Sequence, residues 1–333
     1  MTTNNHSTVW RIHIRPTGQE GDEAKKPDEI ASYALDSDEP IIGIGWGAEG
    51  CGEECTKNEV IQAVKKQYKK LPSAVRIFIE ELQIGDFVWV RRKNKEKHAW
   101  QYFLYLITTD WQFKNDEVSN KYDLHHIRGV MLVGGPLDSV AGPIANSFYG
   151  RMTLARIGSG HTREAARCFT WSICSTAPNI GTLEQITCFR LKDSCDNFTK
   201  TVKQGPLSFF THNELEDLVA LYLQNKHGYL LVPSTHHNST YGYEYDLVKD
   251  NGDKALWARV QIKTKTRLNP DDYKEENVRK WYLFSLYSDI DVSKFENISV
   301  ISLKELLQFI KEHPHLLTQS IQTWIALYAK LKK

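Results

Sequence analysis

The chain has 333 residues, enough for two ordinary domains, each with its own core. Hydrophobic residues make up 41% and charged residues 25%, a globular balance that excludes extensive disorder. The net charge of +1 excludes a global field toward nucleic acid or membrane, so any such attraction must come from local patches.

In chain order, strand-like runs dominate the first half: VWRIHIRP, PIIGIGWG, DFVWVRR, YFLYLITTDW and GVMLVGGP. One helical run, TKNEVIQAVKKQYKKL, starts at Thr56 as N-cap with Glu59 three residues on, a capping-box spacing. QIGDFVWVRRKNKEKHAWQYFLYLITTDW reads as a long hairpin with a basic, protruding tip. The first domain, residues 1–155, is therefore predicted as a small curved β domain with one or two helices. Residues 156–205 read as a connector, with KTVKQGPLS as its linker-like end. From 206 to 333 the pattern changes. NELEDLVALYLQNKHGY carries a helical stripe, with Gly228 placed to stop it. Four strand candidates follow, YLLVPST, YEYDLVK, ALWARVQIKTK and WYLFSLY, and SLKELLQFIKEHP and SIQTWIALYAKLK close the chain as amphipathic helices. The whole reads as a two-domain α+β protein, the second domain being an α/β sheet flanked by helices. No apolar leader opens the sequence, no run approaches the roughly 18 apolar residues of a membrane span, and six scattered cysteines make no disulfide framework. A cytoplasmic protein is expected.

EYDLVKDNGDKALWARVQIKTKT, Glu244 to Thr266, is where chemistry is expected. Alternation puts Tyr245 and Leu247 on one face of its first strand and Asp246 on the other; Gln261 and Lys263 share a face of the second. A charged group inside a half-buried strand needs a partner, a metal or a task. Glu216, on the preceding helix, can join Asp246 and Gln261 as an oxygen ligand, with the Lys263 ammonium beside them. Such oxygen-rich sets suit Mg²⁺, which can activate water and stabilise a phosphoryl transition state.

These residues resemble the PD-(D/E)xK nuclease superfamily, in its Mrr-like restriction endonuclease branch, over roughly residues 206–290. The resemblance implies that Asp246 and Glu216 bind Mg²⁺ or Mn²⁺, with Gln261 at the place usually held by Glu or Asp and the Ile262 carbonyl as a further ligand. It also implies that Lys263 orients the attacking water. The flanking KALWARVQIKTKTR adds basic residues, among them Lys265, suited to phosphate contact or to guarding a strand edge.

In the first domain, GWGAEG matches a dinucleotide-binding glycine pattern, but CGEECTKNE follows where a helix should begin, and its acids would repel a pyrophosphate. Cys51 and Cys55 have no second metal-binding pair, and His125-His126 and His236-His237 read as surface imidazoles. IIGIGWG, then a helix, then IGDFVWVRR and FLYLITTDW resemble EVE/PUA-like domains over residues 8–150. That resemblance implies nucleic-acid binding, with a modified base held by aromatic rings. Trp46 and Trp111, with Asp110, are the pocket candidates; core packing is the competing role for each tryptophan. Arg91, Arg92 and Lys93 on the hairpin suit backbone phosphates. The combined expectation is a Mg²⁺-dependent, modification-dependent DNA endonuclease acting on double-stranded DNA, as a homodimer because a duplex needs two nicks. The alternatives are a non-catalytic nucleic-acid reader with a degenerate nuclease fold, which the neutral Gln261 favours, and an RNA-directed nuclease.

Overall fold

The computed structural model describes residues 7–14, 27–94, 96, 98–177, 182–233, 242–252, 254–264, 267–273, 280–287 and 289–332, with backbone alone for 182–190. The chain forms two compact units, Met1–Lys200 and Thr201–Lys333. Each combines a sheet with helices.

The first unit runs β1 (Val9–Ile12), α1 (Pro27–Leu35), β2 (Ile41–Ile44), α2 (Lys57–Gln67), α3 (Ser73–Glu80), β3 (Phe87–Asn94), β4 (Ala99–Ile107), β5 (Gln112–Phe113), α4 (Glu117–Tyr122), β6 (His126–Leu137), α5 (Gly142–Ser147), β7 (Leu154–Arg156), α6 (Gly160–Cys174) and α7 (Thr182–Thr201). Its curled sheet has the order β2-β6-β4-β3-β1-β7, with β5 also on β6. The predicted hairpin is β3–β4, paired from Phe87↔Leu106 to Asn94↔Ala99. A register shift between Tyr102 and Tyr105 where β4 meets β6 is a bulge, which adds local twist. The predicted capping box also forms: the Thr56 amide donates to Glu59 Oε2 at 2.7 Å, and the Glu59 amide donates to Thr56 Oγ1.

The first half of β3, Phe87 to Val90, is buried on both faces, which explains why DFVWV reads as an unbroken apolar run. Val88 and Val90, with Tyr105 and Ile107 of β4, pack with Ile30 of α1, Val60 and Val64 of α2, and Val75 and Phe78 of α3. On the opposite face the Trp89 indole donates to Thr170 Oγ1 of α6 at 3.0 Å and stacks on Phe169 with centroids 5.8 Å apart. Helix α6 thus supplies half of the sheet's cover, and Ala165, Ala166 and Cys168 on it are fully buried. The stretch 156–205, expected as a connector, is mostly built into the first unit, which ends at Lys200.

The second unit runs α8 (His212–His227), β8 (Leu230–Leu231), β9 (Tyr245–Asp250), β10 (Ala255–Lys263), β11 (Trp281–Ser285), β12 (Ile298–Val300), α9 (Leu303–Glu312) and α10 (Gln319–Leu331). The sheet order is β12-β11-β10-β9-β8: β9 pairs β10 antiparallel, while β11 and β12 run parallel to β10. Gly228, at φ +69°, ends α8 in the left-handed conformation that glycine adopts without strain. The α8 face of the sheet carries Tyr245, Leu247, Ala258, Val260 and Ile262, all fully buried. The Tyr245 hydroxyl fixes this packing by donating to the Glu216 carbonyl of α8 at 3.1 Å. The opposite face packs Trp281, Leu283 and Ile298 against Leu268 and Tyr273. No helix among the described residues is long and apolar enough to cross a membrane.

Candidate functional site

The N-terminus of α8 is anchored before it presents any chemistry. Thr211 caps it reciprocally with Glu214, and Glu214 Oε1 accepts from the Trp324 indole of α10 at 2.9 Å and from Ser320. With the first turn so held, His212 and Glu216 lie one above the other at i, i+4. His212 Nε2 is 2.8 Å from Glu216 Oε1 and 3.8 Å from Glu244 Oε2. Glu244 lies just before β9, beyond the last registered pair, Tyr245↔Val260, and its amide donates to the Val260 carbonyl, which holds it beside the end of β10. The Gln261 amide donates to Glu244 Oε1, and Lys263 Nζ lies 3.6 Å from the same oxygen.

His212, Glu216 and Glu244 therefore place one ligand atom each within 4.8 Å of one another. Glu216 and Gln261 are buried, at 5% and 2% exposure, so this charge cannot be left to bulk water. Hydrogen bonds to Glu216 and Glu244, outweighing burial, push the His212 imidazole up to about 9. Burial pushes the Glu244 carboxyl up, but the His212 hydrogen bond, its charge and Lys263 together hold it below the ordinary range. Here an imidazolium bridges two carboxylates, yet its Nδ1 is buried without a hydrogen-bond partner among the described residues. That orphaned donor makes the arrangement incompletely compensated.

Asp246 lies outside this group. The antiparallel register sets it opposite Arg259, whose Nε is 3.3 Å from Asp246 Oδ1, and the Tyr243 hydroxyl donates to Oδ2 at 3.4 Å. The acid that meets Gln261 and Lys263 is instead Glu244, two residues earlier on the same strand face. Sequence reasoning also passed over His212; its spacing of four from Glu216 on a capped helix was the available signal.

In the first unit, Trp46 and Trp111 meet through His126, an imidazole expected at the surface. His126 is fully buried and His125 nearly so, because β6 begins at His126 between β2 and β5. The Trp111 indole donates to His126 Nδ1 at 3.2 Å and stacks on its ring, and Nε2 donates to the Trp46 carbonyl at 3.1 Å. Both indoles pack partly buried against the core, and Trp46 has a φ of +66°. Asp110 accepts from the Trp111 amide at 2.7 Å and from buried Arg128 at 3.1 Å; the first of these contacts does most to hold its carboxyl below the usual range. A cavity of about 290 Å³ opens elsewhere in this unit, lined by Tyr33, Glu39, Ile41, Lys114 and Asp116 among others, and not by Trp46, Asp110 or Trp111.

Because its Nδ1 must accept from Trp111, the His126 imidazole is neutral in the fold, and burial pushes it down to about 3. The unfolded chain, with an ordinary value near 6.5, binds the proton more readily. Stability is therefore expected to fall as pH drops below about 6.5, by roughly 2 kcal/mol at pH 5. Urea unfolding at pH 7 and pH 5 measures this, and His126→Gln should remove most of the difference.

The pleat divides the basic residues of the hairpin. Strand β3 continues through Asn94, so Arg91, Arg92 and Lys93 are strand residues and not a loop tip. Arg92 faces α1 and makes a two-pronged pair with Asp36 at 2.6 and 2.8 Å, which commits it to the fold. Arg91 and Lys93 point to the other side. Lys265, His236 and His237 lie outside the described residues. Cys51 and Cys55 are free thiols, the first buried and the second partly so.

No family model, curated protein or solved structure matches the chain. The chemistry of the site therefore stands on its own geometry.

Proposed function

We propose that the second unit is a metal-dependent phosphodiesterase acting on nucleic acid. One observation carries this: two buried or half-buried carboxylates, an amide and an ammonium converge where β9, β10 and the start of α8 meet. The order helix carboxylate, strand acid, then Gln-x-Lys supports the nuclease resemblance, with Glu244 as the strand acid.

The donor set fits a divalent cation. Ligand atoms within 4.8 Å are close to the ~4 Å that two ligands at 2.0–2.2 Å on one ion can span. Glu216 and Glu244 would hold it, with the Gln261 amide oxygen after rotation of the amide, and the Ile262 carbonyl beside them. The His212 nitrogen favours Mn²⁺ more than an all-oxygen set would. Once loaded, the ion would supply Lewis-acid polarisation of the phosphate and of a water. Lys263, already oriented by Glu244, would hold that water and the developing charge. His212 would give up its proton as the cation takes over the charge between the carboxylates.

Double-stranded DNA carrying a modified base, cut by a homodimer, is the substrate and assembly this reading favours. A non-catalytic nucleic-acid binder is the second reading, favoured because the His212 imidazolium already bridges Glu216 and Glu244 without a metal. The test is to incubate the full chain and Mn²⁺ or Mg²⁺ with modified DNA, unmodified DNA and RNA. Cation-dependent cleavage, strongest on modified DNA, is expected. No cleavage of any of them, together with no Mn²⁺ binding by calorimetry, would leave the second reading.

A further inference from the structure

One face of the β3–β4 hairpin carries a ring-and-cation surface that the metal site does not involve. The register sets Arg91 opposite Tyr102 and Lys93 opposite Trp100, so these four side chains share a face. The Arg91 guanidinium lies 4.2 Å from the Trp100 ring centroid and 5.2 Å from that of Phe148, at the end of α5, and Nη2 donates to the Phe148 carbonyl at 3.5 Å. Tyr102 and His13 both meet Phe148 edge-on. Tyr149 follows Phe148 directly in the chain, and its hydroxyl adds to the burial that pushes the Tyr102 hydroxyl up, which Arg91 opposes.

Two rings of this group are open to solvent: Trp100 is 47% exposed and Tyr149 77%. An indole and a phenol left this open near a displayed cation present π faces to a ligand. Arg91 faces rings and a carbonyl, and no carboxylate of the described residues pairs with it, so its charge is displayed and not neutralised within the fold. Lys93 adds a second exposed cation.

We propose that this face binds unpaired nucleotides of a nucleic-acid strand, Trp100 and Tyr149 stacking bases and Arg91 and Lys93 meeting the phosphates. The ligand must offer flat π faces and regularly spaced negative charge together, and a single strand does both. A duplex hides its base faces, so the exposed rings select against it. The proposal rests on the reading of the chain as a nucleic-acid-binding protein, but not on its metal site or on the Trp46–Trp111 group.

The test is fluorescence anisotropy of the full chain in EDTA, with a labelled single-stranded oligonucleotide and with its duplex. The parent should bind the single strand without metal. Trp100→Ala should weaken that binding by roughly 5- to 100-fold, the range of one stacked base. Trp100→Phe should keep most of the affinity, and Arg91→Ala should lower both affinity and its salt dependence. Trp100 is half-exposed, so the variant folds, and an unchanged melting temperature verifies it. Equal single-strand affinity of parent and Trp100→Ala, or an equal loss on the duplex, overturns the proposal while leaving the general reading intact. A parent that binds neither form overturns both.

Discussion

Glu244→Gln should lower affinity for Mn²⁺ at least about tenfold and abolish cleavage, whereas Asp246→Asn should leave both nearly unchanged. The contrast follows from the contacts: the Glu244 carboxylate accepts from the Gln261 amide, within reach of His212 and Lys263, while the ladder sets Asp246 against Arg259. Removing the Glu244 charge deletes a hard oxygen anion from the group, and the factor of ten corresponds to about 1.4 kcal/mol. Lys263→Ala should keep metal binding but reduce cleavage by about 10²–10³-fold, the usual effect of losing one preorganised stabiliser of transition-state charge. A readout independent of activity accompanies these. In the metal-free protein, NMR titration should find the His212 imidazole near 9 in the parent and clearly lower in Glu244→Gln, because one of its two carboxylate partners is gone. If Asp246→Asn lost metal binding and Glu244→Gln kept it, the assignment of the strand acid would be wrong.

Asp86→Ala should destabilise the first unit by about 3–5 kcal/mol, the largest stability effect expected here. Asp86 is buried at the turn into β3. Its Oδ1 accepts from the Thr8 amide at 2.8 Å, and its Oδ2 accepts from the Trp10 indole at 2.9 Å and the Gln83 amide at 3.1 Å. Burial pushes its carboxyl up, and these three donors pull against that. The alanine variant leaves three donors facing apolar surroundings, including the indole of fully buried Trp10 on β1. Asp86→Asn retains one acceptor oxygen, so its loss should be smaller, about 1–2 kcal/mol. Urea unfolding of the full chain, followed at a probe in the first unit, distinguishes the two. A loss below about 1 kcal/mol in Asp86→Ala would mean that water reaches these donors.

Local patterns were legible where short-range chemistry decides the outcome. The Thr56–Glu59 capping box and the Gly228 stop need only a few consecutive residues, and both form as expected. So does the β3–β4 hairpin, whose two strands are close in sequence. Helix α3 was missed because SAVRIFIE is rich in β-branched residues, and its helical state is stabilised by burying Val75, Phe78 and Ile79 against the sheet. HTREAARCF is compatible with a short helix inside a connector, but nothing in it says that Trp89, some 80 residues earlier, buries its indole against Thr170 and builds α6 into the first unit. At the site, a capped helix with Glu216, then an acid-bearing strand, then a Gln-x-Lys strand are legible from the residues in that order. Which acid joins them is a long-range outcome: the strand pairing puts Asp246 against Arg259 and leaves the Glu244 carboxylate at the Gln261 amide. Side-chain alternation does not choose between these pairings, because a shift of two residues keeps Tyr245 and Leu247 on the α8 face with Val260 and Ile262; the pairing along the whole of both strands does. The same limit applies to Arg91 and Arg92: adjacent in sequence and identical in chemistry, they point to opposite sides of a pleat, one to Trp100 and the other to Asp36.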